Sequence, residues 1–251
     1  MKVVIIGSGN VASILGRLIQ QTSHQVLQIV GRNKESVALL ADELHCVGTI
    51  FFDEMEKEAD IYLLAVADAA LVDLGKTLRL PNKIVVHTAG AMPLDTLQNV
   101  STKLAVLYPL QSLRKENKEL PVIPLLIDSN DADSFVLLEL FAKSISNKVN
   151  RCNDWDRLKL HLAAVFVNNF TNHLYTLAAD FCKEEAIDFS QLQPLIEETA
   201  LRLRHHSPAQ MQTGPALRKD NATIAKHLRL LAANSNMTSV YLKLTESIGE
   251  N

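Results

Sequence analysis

The residues best suited to chemistry are the glycines of Gly7-Ser8-Gly9-Asn10-Val11-Ala12, which follow the apolar run Val3–Ile6. An amphipathic segment from Ser13 to Gln21 comes next, so the pattern predicts a strand, a tight turn and a helix. Glycines at this spacing let the backbone approach a pyrophosphate, whose charge then lies on the amides of the helix N-terminus. A tight turn that binds nothing is the alternative, and Ala12 in the third glycine's place makes the motif less specific. We predict a dinucleotide site.

The end of the second predicted strand indicates which dinucleotide binds. In such units an acidic residue there holds the 2′-hydroxyl of NAD, whereas an arginine accommodates the 2′-phosphate of NADP. The chain reads Val30-Gly31-Arg32-Asn33-Lys34 and has no carboxylate at this position. Arg32 can bind a phosphate through two parallel hydrogen bonds, Asn33 can donate another, and Lys34 adds positive charge. A solvated charged turn is the alternative, and NADP(H) is the predicted cofactor.

Three later strands end in small or polar residues, and ligands bind at this carboxyl edge of such a sheet. Ala65-Val66-Ala67 would admit the adenosine side of the cofactor, and His87-Thr88 would lie nearer the nicotinamide. Gln111, which follows the sixth strand, is a candidate substrate ligand. Loops occur at this edge in any α/β protein, so these roles are hypotheses.

Polar residues also interrupt a long, mostly apolar helical pattern. At about 100° per residue, His161, Asn168 and Asn172 fall within about 20° of one line, with Asn169 beside them. Burying a histidine and several amides costs free energy unless each finds a partner. The stripe therefore faces a wet cleft or forms structural hydrogen bonds. We predict the cleft, with Asn168 and Asn172 binding substrate.

A second polar segment, residues 213–220, reads Thr-Gly-Pro-Ala-Leu-Arg-Lys-Asp. Arg218 is a candidate anchor for a substrate carboxylate, and Asp220 would orient it or begin the next helix. A surface turn with a capping aspartate explains the residues equally well.

The elements that position these residues change character near residue 153. Before it, short apolar runs alternate with helical patterns, which predicts a Rossmann-type, doubly wound and mainly parallel sheet over residues 1–153. After it the strand signals end, so residues 154–251 are predicted to form an all-α domain that lines a substrate cleft and forms a dimer interface. The predicted strands are Val3–Ile6, Val26–Val30, Thr49–Phe52, Ile61–Val66, Ile84–His87, Ala105–Tyr108, Val122–Ile127 and Lys148–Arg151. The predicted C-terminal helices are Asp156–Lys183, which we expect to be buried on several sides, Gln191–His205, Ala222–Asn234 and Met237–Ser247.

Bulk composition narrows the class of protein. A formal net charge of -3 over 251 residues argues against a nucleic-acid-binding face. No apolar run is long enough to span a membrane, and the N-terminal run is too short for a signal peptide. Three widely spaced cysteines indicate reduced thiols in a cytoplasmic protein, with no disulfide frame and no metal site.

Five segments occurring in this order are together similar to a known family: GSGNVA, HTAGA at 87–91, YPLQS at 108–112, HLAAVFVNNF at 161–170 and TGPALRKD at 213–220. The full-length chain resembles the Rossmann-like predicted NADP oxidoreductases whose helical C-terminal half is a domain of unknown function. These are similar to the coenzyme-deazaflavin-dependent NADP reductases. A more distant resemblance extends to pyrroline-carboxylate reductase, prephenate dehydrogenase and the hydroxyisobutyrate and 6-phosphogluconate dehydrogenases.

The resemblance implies roles for individual residues. The matching positions are Gly7, Gly9 and Ala12 at the pyrophosphate turn, His87, Thr88 and Gly90 beside the nicotinamide, Pro109 and Gln111 in the next loop, His161 and Asn169 on the long helix, and Gly214, Pro215, Arg218, Asp220 and His227 near the C-terminus. The chain also departs from its relatives. Tyr108 stands where the family more often has histidine, and Lys219 where it often has glycine. The catalytic lysine that related hydroxyacid dehydrogenases carry four residues before an asparagine has no counterpart, since Lys159 lies on another face from Asn168.

These residues predict an NADP(H)-dependent oxidoreductase acting on a small C=O or C=N compound that bears an anionic group. His161 is the preferred general acid, because its ordinary pKa lies near neutrality, with Asn169 beside it. His87 is the second choice, and Arg218 would bind the substrate's carboxylate. The chain is expected to form a homodimer. The alternative is a non-catalytic sensor or interaction protein that binds NADP(H) on the same fold.

Overall fold

The computed structural model describes residues 1–117, 119–120 and 122–250. The chain divides into two compact units, Met1–Asn169 and Phe170–Asn251. The last strand ends at Arg151, and the first unit also contains the helix that follows it, whereas the domain boundary near residue 153 stays a prediction. The first part of the long helical segment belongs with the sheet, because its N-terminal residues Asp154 and Arg157 bond to the chain that follows the fifth strand.

The first unit is built on one eight-stranded sheet in the order β3-β2-β1-β4-β5-β6-β7-β8. All neighbouring strands run parallel except β6 and β7, which are antiparallel. The Rossmann-type fold predicted from the alternating pattern is confirmed. The strands are β1 (Lys2–Ile6), β2 (Gln25–Val30), β3 (Val47–Thr49), β4 (Ile61–Leu64), β5 (Ile84–His87), β6 (Lys103–Pro109), β7 (Leu125–Ser129) and β8 (Val149–Arg151).

Two strands lie away from their predicted bounds. β3 ends at Thr49, because Phe52 already begins a 3₁₀ turn. β7 begins and ends later than predicted, and Ser129 at its end donates a hydrogen bond to the carbonyl of Leu104 on β6. Pairing with the neighbouring strand determines where β7 begins and ends, and an apolar run alone does not predict such pairing.

Both faces of the sheet are covered. Side chains of α1, α2 and α4 pack on one face, and α3 packs on the other. The helices are α1 (Asn10–Gln20), α2 (Lys34–Glu43), α3 (Asp68–Thr77), α4 (Ala132–Ile145), α5 (Asp154–Ala164), α6 (Thr171–Glu184), α7 (Gln193–Arg202), α8 (Asn221–Leu230) and α9 (Ser235–Gly249).

The single long helix predicted over Asp156–Lys183 is wrong in one respect. A π-helical segment, Val165–Phe170, stands between α5 and α6. This segment is also not buried in the monomer, since Phe166 is 60% and Val167 75% exposed. The expectation of burial on several sides therefore fails for the single chain.

The second unit contains α6 to α9 and has almost no core of its own. Among its described residues, only Cys182 and Leu231 are buried. Polar side chains begin several of its helices, including Asp220 before α8 and Asn234 before α9. Across the described residues of both units, every helix is too short or too polar to cross a lipid bilayer.

Candidate cofactor and substrate sites

The turn between β1 and α1 has the shape that a pyrophosphate requires. Gly7 has φ of +126°, and a Cβ there would lie 2.2 Å from the carbonyl oxygen of Ala65. Only glycine fits this conformation and this close approach. At Gly9, by contrast, nothing lies within 4 Å of an added Cβ, so the backbone faces open space. No side chain caps the first turn of α1, which leaves amides free for an anion.

A cavity of about 460 Å³ opens beside this turn, and we call it the glycine-turn cavity. Its wall contains a large part of the predicted cofactor set: Gly7, Ser8, Gly9, Arg32, Asn33, Ala65, Val66 and Ala67. The carboxylate of Asp73, on α3, also lies in this wall. The Asn33 side-chain oxygen accepts from the amide of Ser36 and caps α2, so its NH₂ group is the part left for a ligand. These features fit a dinucleotide whose phosphates lie on the turn.

Other residues predicted to bind the cofactor lie elsewhere. Ala12 is fully buried and serves the packing of α1 on the sheet. Asn10 accepts a hydrogen bond from the amide of Lys115, and Lys34 begins α2 outside the cavity wall. Val11 and Thr88 line a second cavity.

The second cavity, of about 730 Å³, is lined by the ends of β5 and β6 and by α5 with the π-helical segment. We call it the histidine cavity. Besides Val11 and Thr88, four residues predicted to be catalytic or to bind substrate line it, namely His161, Asn168, Asn169 and Gln111. All of these residues belong to the first unit. Val11 follows Gly9 by two residues, so this cavity begins beside the glycine turn.

The π-helical segment explains which asparagines reach the cavity. A π-helix closes i→i+5 hydrogen bonds and so shifts side chains from their α-helical positions. Both Asn168 and Asn169 line the wall, whereas Asn172 lies in α6 of the second unit and is exposed. The predicted stripe through Asn172 is therefore broken, and its assignment as a substrate ligand has no support from this cavity.

A tyrosine–histidine pair lies in the wall of the histidine cavity. Tyr108 Oη lies 3.0 Å from Nδ1 of His161, and the two rings meet edge to face at 5.9 Å. Gly90 packs directly against the pair, because a Cβ there would lie 2.8 Å from His161 Nδ1 and 2.8 Å from Tyr108 Cζ. Burial raises the pKa of Tyr108, while the charge of Arg157 opposes this effect.

His87, the second candidate for proton transfer, lies inside the protein. Its side chain is 0% exposed, and its Nδ1 accepts from the amide of Ala89. Burial and, to a smaller extent, the charge of Arg157 lower the pKa of His87 to about 4. His87 lines neither cavity. The buried ring is therefore a less direct candidate for proton transfer than His161, and a site role for His87 stays a prediction.

The C-terminal candidates lie in the second unit. Asp220 caps α8, since its carboxylate accepts from the amide and the hydroxyl of Thr223 at 3.0 and 2.8 Å. Of the two readings of Asp220, the structure favours the helix cap. Arg218 is exposed two residues earlier. His227, in α8, forms its own hydrogen bond to the hydroxyl of Tyr241 at 2.8 Å.

Sequence reasoning missed several residues of both cavities. In the sequence, Tyr108 is a departure from the family within YPLQS, and its place at the end of a strand is the signal that marks it as a site residue. Phe52, Leu74 and Thr77 also line the glycine-turn cavity. They belong to a 3₁₀ turn and to α3, so only the fold brings them beside Arg32.

A third cavity, of about 800 Å³, adjoins the glycine-turn cavity at Phe52, Leu74 and Thr77 and extends to the amino-terminal ends of β4 and β5, where Tyr62 and Lys83 line it. Dinucleotides bind at the carboxyl edge of such sheets. This larger cavity is therefore not the cofactor site.

Comparison with known proteins agrees with this geometry. Residues 2–90 match the domain family described as NADP oxidoreductase, coenzyme F420-dependent, and residues 123–248 match a domain of unknown function, DUF2520. No curated protein matches the chain significantly.

Solved structures extend the comparison to the whole chain. A candidate NADP oxidoreductase from Bacteroides fragilis is 33% identical to this chain and superposes with a TM-score of 0.94. The match covers 100% of this chain and 98% of that chain. A 1-pyrroline-5-carboxylate reductase from Streptococcus pyogenes shares the fold at 15% identity and a TM-score of 0.67, covering 100% of this chain and 99% of its own. An imine reductase from Myxococcus stipitatus, solved with NADP⁺, shares the fold at 15% identity and a TM-score of 0.64. The match covers 100% of this chain and 93% of that chain.

The matches to the NADP oxidoreductase family confirm the predicted family, and with it NADP(H) as the cofactor. The chain belongs to the family of NADP oxidoreductases that join this dinucleotide-binding domain to a DUF2520 domain.

Proposed function

We propose that this chain is an NADPH-dependent reductase of small C=O or C=N compounds that carry an anionic group. The observation that carries the proposal is the Tyr108–His161 hydrogen bond of 3.0 Å in the wall of a cavity that begins beside the glycine turn. A proton donor next to a dinucleotide site is the arrangement that carbonyl or imine reduction needs. The reductases among the structural neighbours support this reaction class.

The cofactor supplies the hydride when it is bound. The backbone of Ser8 and Gly9 would hold its phosphates at the start of α1, and Arg32 with Asn33 would hold the 2′-phosphate. Ala65, Val66 and Ala67 leave room for the adenosine side. These residues bind and orient, and none of them needs to change its protonation state.

His161 would donate the proton to the reduced oxygen or nitrogen. Tyr108 engages Nδ1 of the ring, so exchange with a substrate falls to Nε2. A ring held in one orientation lowers the entropic cost of reaching the reactive geometry. The amides of Asn168, Asn169 and Gln111 line the same wall and would hydrogen-bond the polar groups of the substrate.

Arg218, in the second unit, stays the proposed ligand for an anionic group. The described wall of the histidine cavity contains no lysine or arginine. Arg218 is exposed, and an arginine binds a carboxylate with two parallel hydrogen bonds.

We further propose that a second copy of the chain covers the helical unit. Nine large aliphatic residues of this unit are between 37% and 64% exposed: Leu174, Ile187, Leu195, Leu201, Leu203, Leu217, Leu230, Leu242 and Leu244. An apolar surface spread over every helix of a unit with two buried side chains is typical of an obligate dimer interface. Symmetric pairing is the commonest way to cover such a surface.

A direct test is NADPH oxidation in the presence of a panel of 2-ketoacids and cyclic imino acids. We expect turnover with at least one of them, and a loss of about 10²- to 10⁴-fold in kcat for His161→Gln. His87→Gln should retain most of the kcat of the folded enzyme, because His87 lies outside the cavity.

The same experiment distinguishes the alternative function. Tight NADPH binding without turnover on ketoacids, imines or flavin and deazaflavin acceptors would favour a sensor on this fold. Loss of activity in His87→Gln but not in His161→Gln would transfer the proton-donor role to the loop after β5.

A further inference from the structure

Arg157, in α5, is a charged residue that the proposed reaction leaves unexplained. Its side chain is 1% exposed, the largest side chain buried to this degree. A buried guanidinium is costly unless its surroundings compensate the charge. Its Nη2 donates to the carbonyl of Met92 and, at 2.9 Å, to Oδ1 of Asp154.

Asp154 extends this contact to the backbone after β5. Both of its carboxylate oxygens accept from the amide of Leu94, at 3.1 and 3.0 Å. Arg157 and Asp154, on the first turn of α5, thus bind the segment Met92–Leu94 at two points. We call this arrangement the α5 clamp.

The α5 clamp lies directly behind the tyrosine–histidine pair. His161 follows Arg157 by one helical turn on the same face of α5. On the other side, Gly90 lies two residues before Met92 and packs against both rings of the pair. The clamp therefore fixes the helix that carries His161 to the loop on which the pair rests.

The charge of Arg157 also reaches the pair. Arg157 Nε and Nη1 and His87 Nε2 are buried, and no hydrogen-bond partner is recorded for them among the described residues. The positive charge is therefore compensated mainly by Asp154, whose side chain is 42% exposed. Burial raises the pKa of Tyr108, and the charge of Arg157 lowers it. Burial lowers the pKa of His87, and the charge of Arg157 acts on it in the same direction.

We infer that Arg157 is a positioning residue for proton transfer: through the α5 clamp it holds the β5 loop against Tyr108 and His161 and so fixes their hydrogen bond. The effect of Arg157 on proton transfer rests on the proposed function. The hydrogen bond and its dependence on Arg157 can be measured without turnover.

The test uses the full-length protein labelled with ¹⁵N-histidine and with ¹³C at Cζ of tyrosine. Tyr108→Phe supplies the spectrum of His161 without the hydrogen bond. We expect Arg157→Met to shift the Nδ1 signal of His161 toward that spectrum and to raise the pKa of Tyr108. The titratable groups around Tyr108 are His161, His87, Arg157 and Asp154. The pKa of Tyr108 is therefore measured at high pH, where the histidines and Asp154 no longer change charge.

Asp154→Asn is the second variant, since it retains the guanidinium and weakens both contacts of Asp154, the ion pair with Arg157 and the hydrogen bonds from the amide of Leu94. It decides the question if Arg157→Met does not fold. Lys159→Met is the matched control, because Lys159 is on the same helix with its side chain 59% exposed, and its ammonium contacts Asp156 and the ring of Trp155, away from the clamp.

On a substrate that the enzyme turns over, we expect Arg157→Met to lower kcat by about hundredfold while the Kd for NADPH changes less than about twofold. A wild-type His161 spectrum and Tyr108 titration in folded Arg157→Met, or in Asp154→Asn where the first variant does not fold, would overturn the inference. Absence of turnover in the wild type would contradict the proposed function and leave the spectroscopic result standing.

Discussion

Among single residues, Arg32 has the most specific predicted effect. It lies in the wall of the glycine-turn cavity, where a 2′-phosphate would meet its guanidinium. Arg32→Ala should weaken NADPH binding by about ten- to hundredfold and leave NADH binding nearly unchanged, since a charge-assisted hydrogen bond contributes about 1.5–3 kcal/mol. Calorimetric titration with both cofactors measures this. Lys143→Ala is the control, as Lys143 is an exposed residue of α4. Equal losses for the two cofactors would contradict the role of Arg32.

His87 makes the stability of the protein depend on pH. Its pKa in the folded protein is about 4, below the ordinary value of 6.5. The unfolded chain therefore binds a proton that the folded chain excludes as the pH falls from 6.5 to 4, and the free energy of unfolding falls with it. We expect a loss of about 2 kcal/mol between pH 7 and pH 5 from this residue.

Urea denaturation at the two pH values tests the effect. His87→Gln removes the titration and should show a loss smaller by this amount, whereas His205→Gln, at an exposed position, should behave like the wild type. The same pH dependence in His87→Gln and the wild type would mean that the ring is not held neutral.

At this scale the sequence predicts residue types better than their partners. The glycine turn, Arg32 and His161 all follow from local spacing. The burial of His87 and its proximity to Arg157 depend on which strand and helix pack together, and no local pattern reports that.

Among the elements, the loop after β5 and the helix α5 depend on a close contact. Gly90→Ala would place a methyl group 2.8 Å from His161 Nδ1 and from Tyr108 Cζ, so one of the rings must move. Overpacking of this kind costs about 1–3 kcal/mol. We expect a lower unfolding temperature and a reduced kcat, with an unchanged Kd for NADPH because the glycine turn is untouched.

Gly249→Ala is a suitable control, since nothing lies within 4 Å of a Cβ added there. Full activity and wild-type stability in Gly90→Ala would show that the tyrosine–histidine pair is loosely held, against the contact described above.

All eight strands follow from their apolar runs, but element ends and irregularities do not. β7 extends through Ser129 because pairing with β6 outweighs local hydrophobicity. The π-helical segment Val165–Phe170 changes which asparagines line the cavity. The prediction assumes a regular α-helical period, which does not include a π-helical turn.

For the whole molecule, the proposed dimer interface is the exposed apolar surface of the helical unit. Leu195 and Leu230 are 60% and 64% exposed in the single chain. If a second copy covers them, the double variant Leu195→Glu/Leu230→Glu should shift the protein from dimer to monomer, because buried unpaired carboxylates are costly. Light scattering coupled to size-exclusion chromatography measures the mass.

The first unit offers a matched control. Leu39 and Val47 are 66% and 64% exposed, so Leu39→Glu/Val47→Glu introduces the same charges at equally exposed positions. A monomeric wild type, or equal dissociation in both double variants, would contradict an interface on the helical unit.

The central claim is that a dinucleotide lies with its phosphates on the backbone between β1 and α1. A crystal structure grown with NADP⁺ tests it most directly. We expect phosphate oxygens within hydrogen-bonding distance of the amides that follow Gly7, and the 2′-phosphate beside Arg32. Density for the cofactor in another cavity, or a turn closed by side chains under saturating NADP⁺, would contradict the account.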